Sequence, residues 1–465
     1  MDSDTQVAVI GGGISGFVCA WRLRQKGLSV RLIERGPRFG GVIDSIERDG
    51  FRFDLGPQSF LAGESILQLV EELKLGDELL RADSRAPRFI LHRGRLVPAP
   101  LAPPQLLFTP LIGAGTKMHM LTEALRSTHP PEGDESIAAF VRRKFGEDLL
   151  NNLVAPFVSG VYAGDAEKLS LTSAFPILRQ AEERYGSVIR GAIRMRPKAG
   201  GSRPRTRASL SNFRRGIPTL IEALARQLGA AAVCGAEITS IRREMIRDRP
   251  RFEIAFSDGP ASHTLTASAV VVATPTREAA RLLAPIEPRF AEPLGQIEYA
   301  AVAQVGVGYR LDKIARHSAS QPLRGFGFLV PRTEGLRLLG TVWNSSLFPD
   351  RAPQGMASFT SFVGGATDPE IYTWSDERIA ETVHTELAGV LGISGPPIAQ
   401  HIARWKRAIP QYNLGHGRIL AALDELCSAT PGIFLAGNYL AGPSLPSCIE
   451  QASKVADAVA SANKT

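Results

Sequence analysis

The chain has 465 residues, 44% of them hydrophobic and 22% charged, with four cysteines and a formal net charge of +8. At roughly 150 residues per domain this length predicts about three domains, and the composition excludes a disordered chain or a small disulfide scaffold. The charge is local, with nine cations and no acid between Gly186 and Ile221, so the remainder is nearly neutral and a nucleic-acid partner is not expected.

The opening Met1-Asp2-Ser3-Asp4 runs into an apolar strand without the basic region and long apolar core of a secretory signal, so a cytosolic setting is expected. Gln6 to Ile10 reads as a strand, Ile14 to Lys26 as a helix and Leu28 to Glu34 as a second strand. Between the first two, Gly11, Gly13 and Gly16 have the GxGxxG spacing, and Glu34 ends the second strand. Glycines there allow a tight turn, close approach of a pyrophosphate and helix-to-strand packing, while an acid at the strand end can accept bonds from a ribose. The unit predicts a dinucleotide site and leaves NAD and FAD open. Arg38-Phe39-Gly40-Gly41 adds a second glycine doublet with an arginine for phosphate, and Gly50 to Pro57 reads as strand and turn.

The uncharged run Val97 to Thr116 is about 20 residues long, but Pro98, Pro100, Pro103, Pro104 and Pro110 would break any spanning helix. It is either a buried connection or a segment that touches a membrane without crossing it. Ser136 to Leu153 and Leu171 to Met195 read as helical, and Arg196 to Asn212 as an exposed basic loop. Gly216-Ile217-Pro218 opens an amphipathic helix through Leu228, followed by strands at Ala232 to Ile241, Phe252 to Phe256 and Ala269 to Ala273. The last is apolar throughout, as a buried parallel strand requires, so the nucleotide domain resumes there after an insertion.

Residues 299 to 364 alternate as a sheet does. Phe326, Phe328 and Val330 are expected on one face with Gly325, Gly327 and Leu329 on the other, and Phe362 shares its face with Ser358 and Thr360. Leu426 to Ile449 is uncharged, with a strand Gly432 to Gly437, a turn-rich stretch and a helix from near Ser447 whose amides suit a negatively charged ligand edge. The cysteines Cys19, Cys234, Cys427 and Cys448 form no metal or disulfide pattern, so no metal is expected. His416 is read as structural or surface rather than as a base.

In Gly11 to Gly16, Arg38 to Gly41, Gly56-Pro57, Gly325 to Pro331, Ile409-Pro410-Gln411-Tyr412 and Ala436-Gly437-Asn438 the chain resembles the protoporphyrinogen oxidases, a branch of the FAD-dependent amine oxidase and phytoene desaturase superfamily, over essentially its whole length. The resemblance implies oxidation of protoporphyrinogen IX to protoporphyrin IX on FAD, with oxygen as acceptor and hydrogen peroxide as by-product. Three hydride transfers from methylene bridges to flavin N5 would remove six electrons, with no catalytic side chain. It also implies an α/β fold: a discontinuous Rossmann-type FAD-binding domain (1–85, 213–285 and 405–465), a β-rich substrate domain (86–98 and 286–404) and an inserted helical, membrane-facing domain (99–212, with the basic loop 196–212).

Matched position by position, Arg88 would pair with a substrate propionate, Leu329 and Val342 would sandwich one pyrrole, Phe362 would stack and Gly160 would accept pyrrole N–H bonds. For FAD the matching residues are Gly11, Gly12, Gly13, Ile14, Ser15, Gly16, Glu34, Arg38, Gly41, Gly56, Pro57, Gln58, Ser59, Ile238, Gly442, Pro443, Ser444 and Leu445. Arg215-Gly216 replaces a usual glycine doublet, and Pro443 and Pro446 enter the flavin loop where valine and asparagine are frequent. The implied location is the cytoplasmic face of a membrane, held peripherally, with a homodimer left open. Rival readings are the coproporphyrinogen-oxidising sister branch, an amine-oxidising or carotenoid-desaturating enzyme, and a flavin-free binding protein like the GDP-dissociation inhibitors.

Overall fold

A computed structural model describes residues 3–195, 209–247, 249–315 and 323–463. Its first sheet is parallel, with strands in the order 232–233, 30–33, 7–10, 269–272 and 433–435. Val7–Ile10 and Ala269–Val272 are buried along their whole length, which is why their sequences do not alternate. One face packs on the helices Ile14–Gln25 and Leu445–Ala462 through Phe17, Val18, Ile449 and Ala452. The other packs on an antiparallel layer and the helix Thr276–Leu283 through Phe252, Ile254 and Leu282. Segments from three distant parts of the chain thus build one Rossmann-type α/β unit.

A second, seven-stranded sheet runs 399–410, 299–310, 356–364, 338–342, 327–329, 88–92 and 95–98. The helix Asp376–Leu391 covers one face with Ile379, Val383 and Leu387. The opposite face meets the two-stranded hairpin 45–54, where Gly306 and Gly308 have no room for a side chain: a Cβ would lie 2.6 and 2.4 Å from the rings of Phe53 and Phe51. Strand Ala399–Pro410 pairs with Tyr299–Arg310 along both lengths, so this sheet continues past the expected boundary at 404.

The third region is helical, with a core of Phe140, Leu150, Val158 and Leu171. The two stretches expected to be helical are so, each as a series of short helices. The Ile137–Lys144 helix is capped by the Ser136 hydroxyl and followed by Gly146 in the left-handed region (φ 98°). In the second stretch, Pro176 and left-handed Gly186 separate three short helices. A buried ionic knot joins these pieces: Glu182 meets Arg143 at 2.7 Å and Lys144 at 2.8 Å.

Three further differences stand out. Residues Ser209–Phe213 form a strand paired with 60–62 and 79–81 rather than the end of a loop; the rest of the expected basic loop, 196–208, lies outside the described residues. The expected strand 232–241 is two strands, parted by Gly235 at φ 74°. The uncharged proline-rich run is not a buried connection throughout, since Leu111 and Ile112 are buried but Phe108 is 85% exposed.

Candidate active site

The carboxyl ends of the parallel strands converge on Gly11, Glu34, Ala273 and Ala436. In such sheets that edge is where ligands bind. Gly11 has φ 112°, and a Cβ there would sit 2.5 Å from the Ala273 carbonyl; at Gly16 it would sit 1.9 Å from the Gly11 carbonyl. Only glycine permits this turn. Gly13 caps the Ile14–Gln25 helix without a side-chain bond and faces open space, so the amides at the start of that helix are left to a ligand. Glu34 accepts from Gly12 N–H and Gly36 N–H, each at 2.6 Å, which holds its carboxylate beside the turn. An open glycine cradle, an uncapped helix start and an acid at the strand end fit the diphosphate and ribose of FAD.

Gly41 lies over this cradle, 3.8 Å from the Gly13 Cα when a Cβ is added. Arg38 differs from expectation. Its guanidinium donates to the carbonyls of Gly41 at 2.9 Å and Ile43 at 3.0 Å and pairs with Asp44 at 3.1 Å, so it shapes the doublet rather than reaching freely for phosphate. Ile238 has its side chain in the core with Ile33, next to a bulge. Ser15 is also buried, close to Cys448.

The segment Gly56 to Ser59 is held from below. A Cβ on Gly56 would strike the Val42 carbonyl at 2.1 Å. Gln58 points inward: its amide donates to the Asp54 carbonyl at 2.6 Å and its Oε1 accepts from Asn344 at 2.7 Å, so it supports Pro57 and Ser59 without facing a ligand. Gln304 donates to the Gly56 carbonyl at 2.9 Å, and Asn212 to the Gln58 carbonyl at 2.9 Å. Asp54 is joined by the Ser45 hydroxyl and by Arg351, which is fully buried and donates to the Phe213 and Arg214 carbonyls at 2.8 and 2.9 Å. Burial lowers the Arg351 pKa and the Asp54 charge opposes that. Sequence reasoning missed this network; its one visible signal is a glutamine in the apolar strand that holds Gln304.

At the far end, Gly442 (φ 134°), Pro443 and Ser444 lead into the last helix, which starts at Leu445 rather than near Ser447 because the Ser444 hydroxyl accepts from Ser447 N–H at 3.2 Å. Leu445 and Cys448 share a core with Ile14, so this loop sits beside the glycine cradle. Burial pushes the Cys448 thiol up to about 11, the Ser15 hydroxyl opposing.

The pairing of the seven-stranded sheet gathers the other candidates. One row holds Arg88, Gly327, Val342 and Thr360; the next holds Ile90, Leu329, Gly340, Phe362 and Gln304. Residues two apart share a face, so Arg88, Leu329, Val342 and Phe362 stand on the same face as Gln304, which reaches Gly56. Gly160 closes the wall, for a Cβ there would be 2.3 Å from Leu329 Cδ2. Phe326 does not align with Phe328 and Val330 as expected. Positive φ at Gly325 (154°) and Gly327 (136°) turns the backbone, and Phe326 packs with Val342 and beneath the Arg88 guanidinium at 5.5 Å.

His416 is buried, with Nε2 3.0 Å from the Tyr439 carbonyl and its ring stacked on Tyr412; burial holds its pKa below the ordinary value. It is the structural histidine of the two expectations. Among the described residues no group of three His, Cys, Asp or Glu side chains could hold a metal ion.

A family model described as flavin containing amine oxidoreductase matches residues 14–460. Protoporphyrinogen oxidase 1, chloroplastic, of Arabidopsis thaliana is 34% identical over 97% of this chain and 87% of its own length. Coproporphyrinogen III oxidase of Bacillus subtilis (strain 168) is 30% identical over 98% of each. A solved structure from Exiguobacterium sp. 255-15, provisionally named a protoporphyrinogen oxidase, superposes with a TM-score of 0.80 at 26% identity over 99% of each chain.

Proposed function

The chain belongs to the flavin-containing amine oxidoreductases and uses FAD, and on that premise we propose that it oxidises protoporphyrinogen IX to protoporphyrin IX, with oxygen as acceptor and hydrogen peroxide as by-product. The observation that carries this reading is the shared face of Arg88, Leu329, Val342 and Phe362, the same face from which Gln304 reaches the Gly56 carbonyl. Relatives named for porphyrinogen oxidation support it.

Bound FAD supplies the two-electron acceptor for each of three rounds. The protein's own part is placement. Leu329 and Val342 offer an aliphatic surface to one pyrrole, with Phe362 in the same row as Leu329. Gly160 lies in the last turn of the helix Ala155–Tyr162, where carbonyls lack an intrahelical donor, so its carbonyl can accept from a pyrrole N–H. Arg88 suits a propionate, because a guanidinium matches a carboxylate bidentately. No side chain is assigned as a base.

Coproporphyrinogen III oxidation is the second reading, favoured by the Bacillus relative. Arg88 supports the first, since it offers a single guanidinium for one carboxylate; the cleft beside it is mixed, with Leu61, Leu210 and Phe326 alongside Asp83 and Ser209. Turnover of the two porphyrinogens separates them: the tetracarboxylate is expected to be the poorer substrate, and a strong preference for it reverses the assignment. The same proposal puts the helical region on the cytoplasmic face of a membrane, where its exposed side chains would meet an apolar substrate. Among the described residues no helix is long and apolar enough to cross.

A further inference from the structure

The segment Ile409 to His416 lies between the pocket wall and the loop Asn438 to Leu445, and it is bonded to both. Toward the helical region, the Gln411 side-chain amide donates to the Tyr162 carbonyl at 2.9 Å. Ser170 N–H donates to the Tyr412 carbonyl at 2.8 Å, and Leu414 N–H to the Lys168 carbonyl at 2.8 Å. Tyr162 ends the helix that presents Gly160 to Leu329. Toward the cofactor side, the Tyr412 hydroxyl donates to the Asn438 carbonyl. His416 Nε2 donates to the next carbonyl, Tyr439, at 3.0 Å. The two rings stack with centroids 4.5 Å apart and planes within 13°, and both residues are buried.

The loop needs such tethers. Asn438–Ala441 is a single helical turn, too short to hold itself, and it is bounded by Gly437 at φ 156° and Gly442 at φ 134°. Its first two carbonyls are fixed by side chains from outside, and the turn leads directly into Gly442 to Leu445 beside the cradle. A buried hydroxyl or imidazole N–H left without its acceptor is costly, so these two bonds resist rotation of the turn.

We propose that Tyr412 and His416 are positioning residues: together they fix the loop Asn438 to Leu445 against bound FAD, while the adjoining Gln411 ties the same segment to the pocket helix Ala155–Tyr162, so that cofactor loop and pocket wall move as one body. This rests on the flavin family and not on which porphyrinogen is oxidised. Tyr412→Phe removes the hydroxyl and keeps the ring, His416→Phe removes the donor and keeps the stack, and His416→Gln returns an N–H donor.

The measurements are FAD affinity on reconstitution of the apoprotein, the midpoint potential of bound FAD and the melting temperature of the apoprotein. Both phenylalanine variants are expected to bind FAD about tenfold more weakly with a shifted potential, and His416→Gln to recover most of both. Wild-type affinity and potential, with only a lower apoprotein melting temperature, would overturn the proposal. Hydrogen exchange on the wild-type holoprotein needs no variant: segments 157–162 and 438–445 are expected to open together, and a loop that opens while the helix stays closed contradicts the tie.

Discussion

Leu329 and Phe362 stand in one row across three strands of the sheet, with only Gly340 between them. A Cβ at Gly340 would lie 3.1 Å from Leu329 Cδ2 and 2.6 Å from the Phe328 carbonyl. Gly340→Ala is therefore expected to press on the Phe328 backbone and displace the Leu329 side chain in the pocket wall, lowering kcat/KM by roughly tenfold or more. The flavin spectrum should stay normal, as Gly340 lies in the sheet and not in the cradle; steady-state kinetics and an absorbance scan on one preparation check both.

Gly160→Ala tests the wall from the other side. The added methyl meets the end of the Leu329 side chain at 2.3 Å, and that side chain can turn away. Stability is then expected to change little while KM for the porphyrinogen rises several-fold. A Leu329→Ala, Gly160→Ala double variant should show non-additive kinetics, since the two residues are in contact.

Arg88→Ala is expected to raise KM roughly ten- to hundredfold, the worth of a charge-assisted pair with a carboxylate, and to leave FAD content unchanged. Arg88→Lys keeps the charge but loses the bidentate fork, so only partial recovery is expected.

Glu182 gives the helical region a pH limit. Burial raises its carboxyl pKa, but bonds from Arg143, Lys144 and Thr128 outweigh that and hold it at about 2. The folded value lies below the unfolded one of about 4.3, so the stabilisation is complete above that pH and is lost as pH falls through the folded value. Melting temperature is expected to drop between about pH 5 and 2. Glu182→Gln should flatten that drop and cost roughly 3–5 kcal/mol at pH 7, because it leaves buried Lys144 poorly paired.

In the helical region proposed to meet a membrane, Phe108 is 85% and Leu125 82% exposed, with Leu101, Leu121 and Ile177 also exposed. Flotation with anionic lipid vesicles is expected to recover the wild type and to lose the Phe108→Glu, Leu125→Glu double variant. Equal recovery of both would remove the helical region from the membrane.

The nucleotide unit was readable because its demands are local. Gly11 needs its positive φ and Gly16 meets the Gly11 carbonyl within one turn, and Glu34 ends the strand that follows. The resemblance in motifs from Gly11 to Asn438 agrees with the family match over residues 14–460. What stayed hidden depends on partners far along the chain. Gln58 turns inward because Asn344 awaits it, and Arg351 is buried because Phe213 and Arg214 present their carbonyls. The strand Ser209–Phe213 is legible only once 60–62 and 79–81 flank it. Phe326 left its predicted face because two consecutive turns at Gly325 and Gly327 reset the alternation.

Anaerobic titration of the purified protein with protoporphyrinogen IX, followed by absorbance, tests the central claim most directly. The account predicts a yellow protein whose flavin band bleaches on mixing and returns with oxygen as porphyrin absorbance appears. Bound flavin that stays oxidised with protoporphyrinogen, or that bleaches only with coproporphyrinogen, would contradict it.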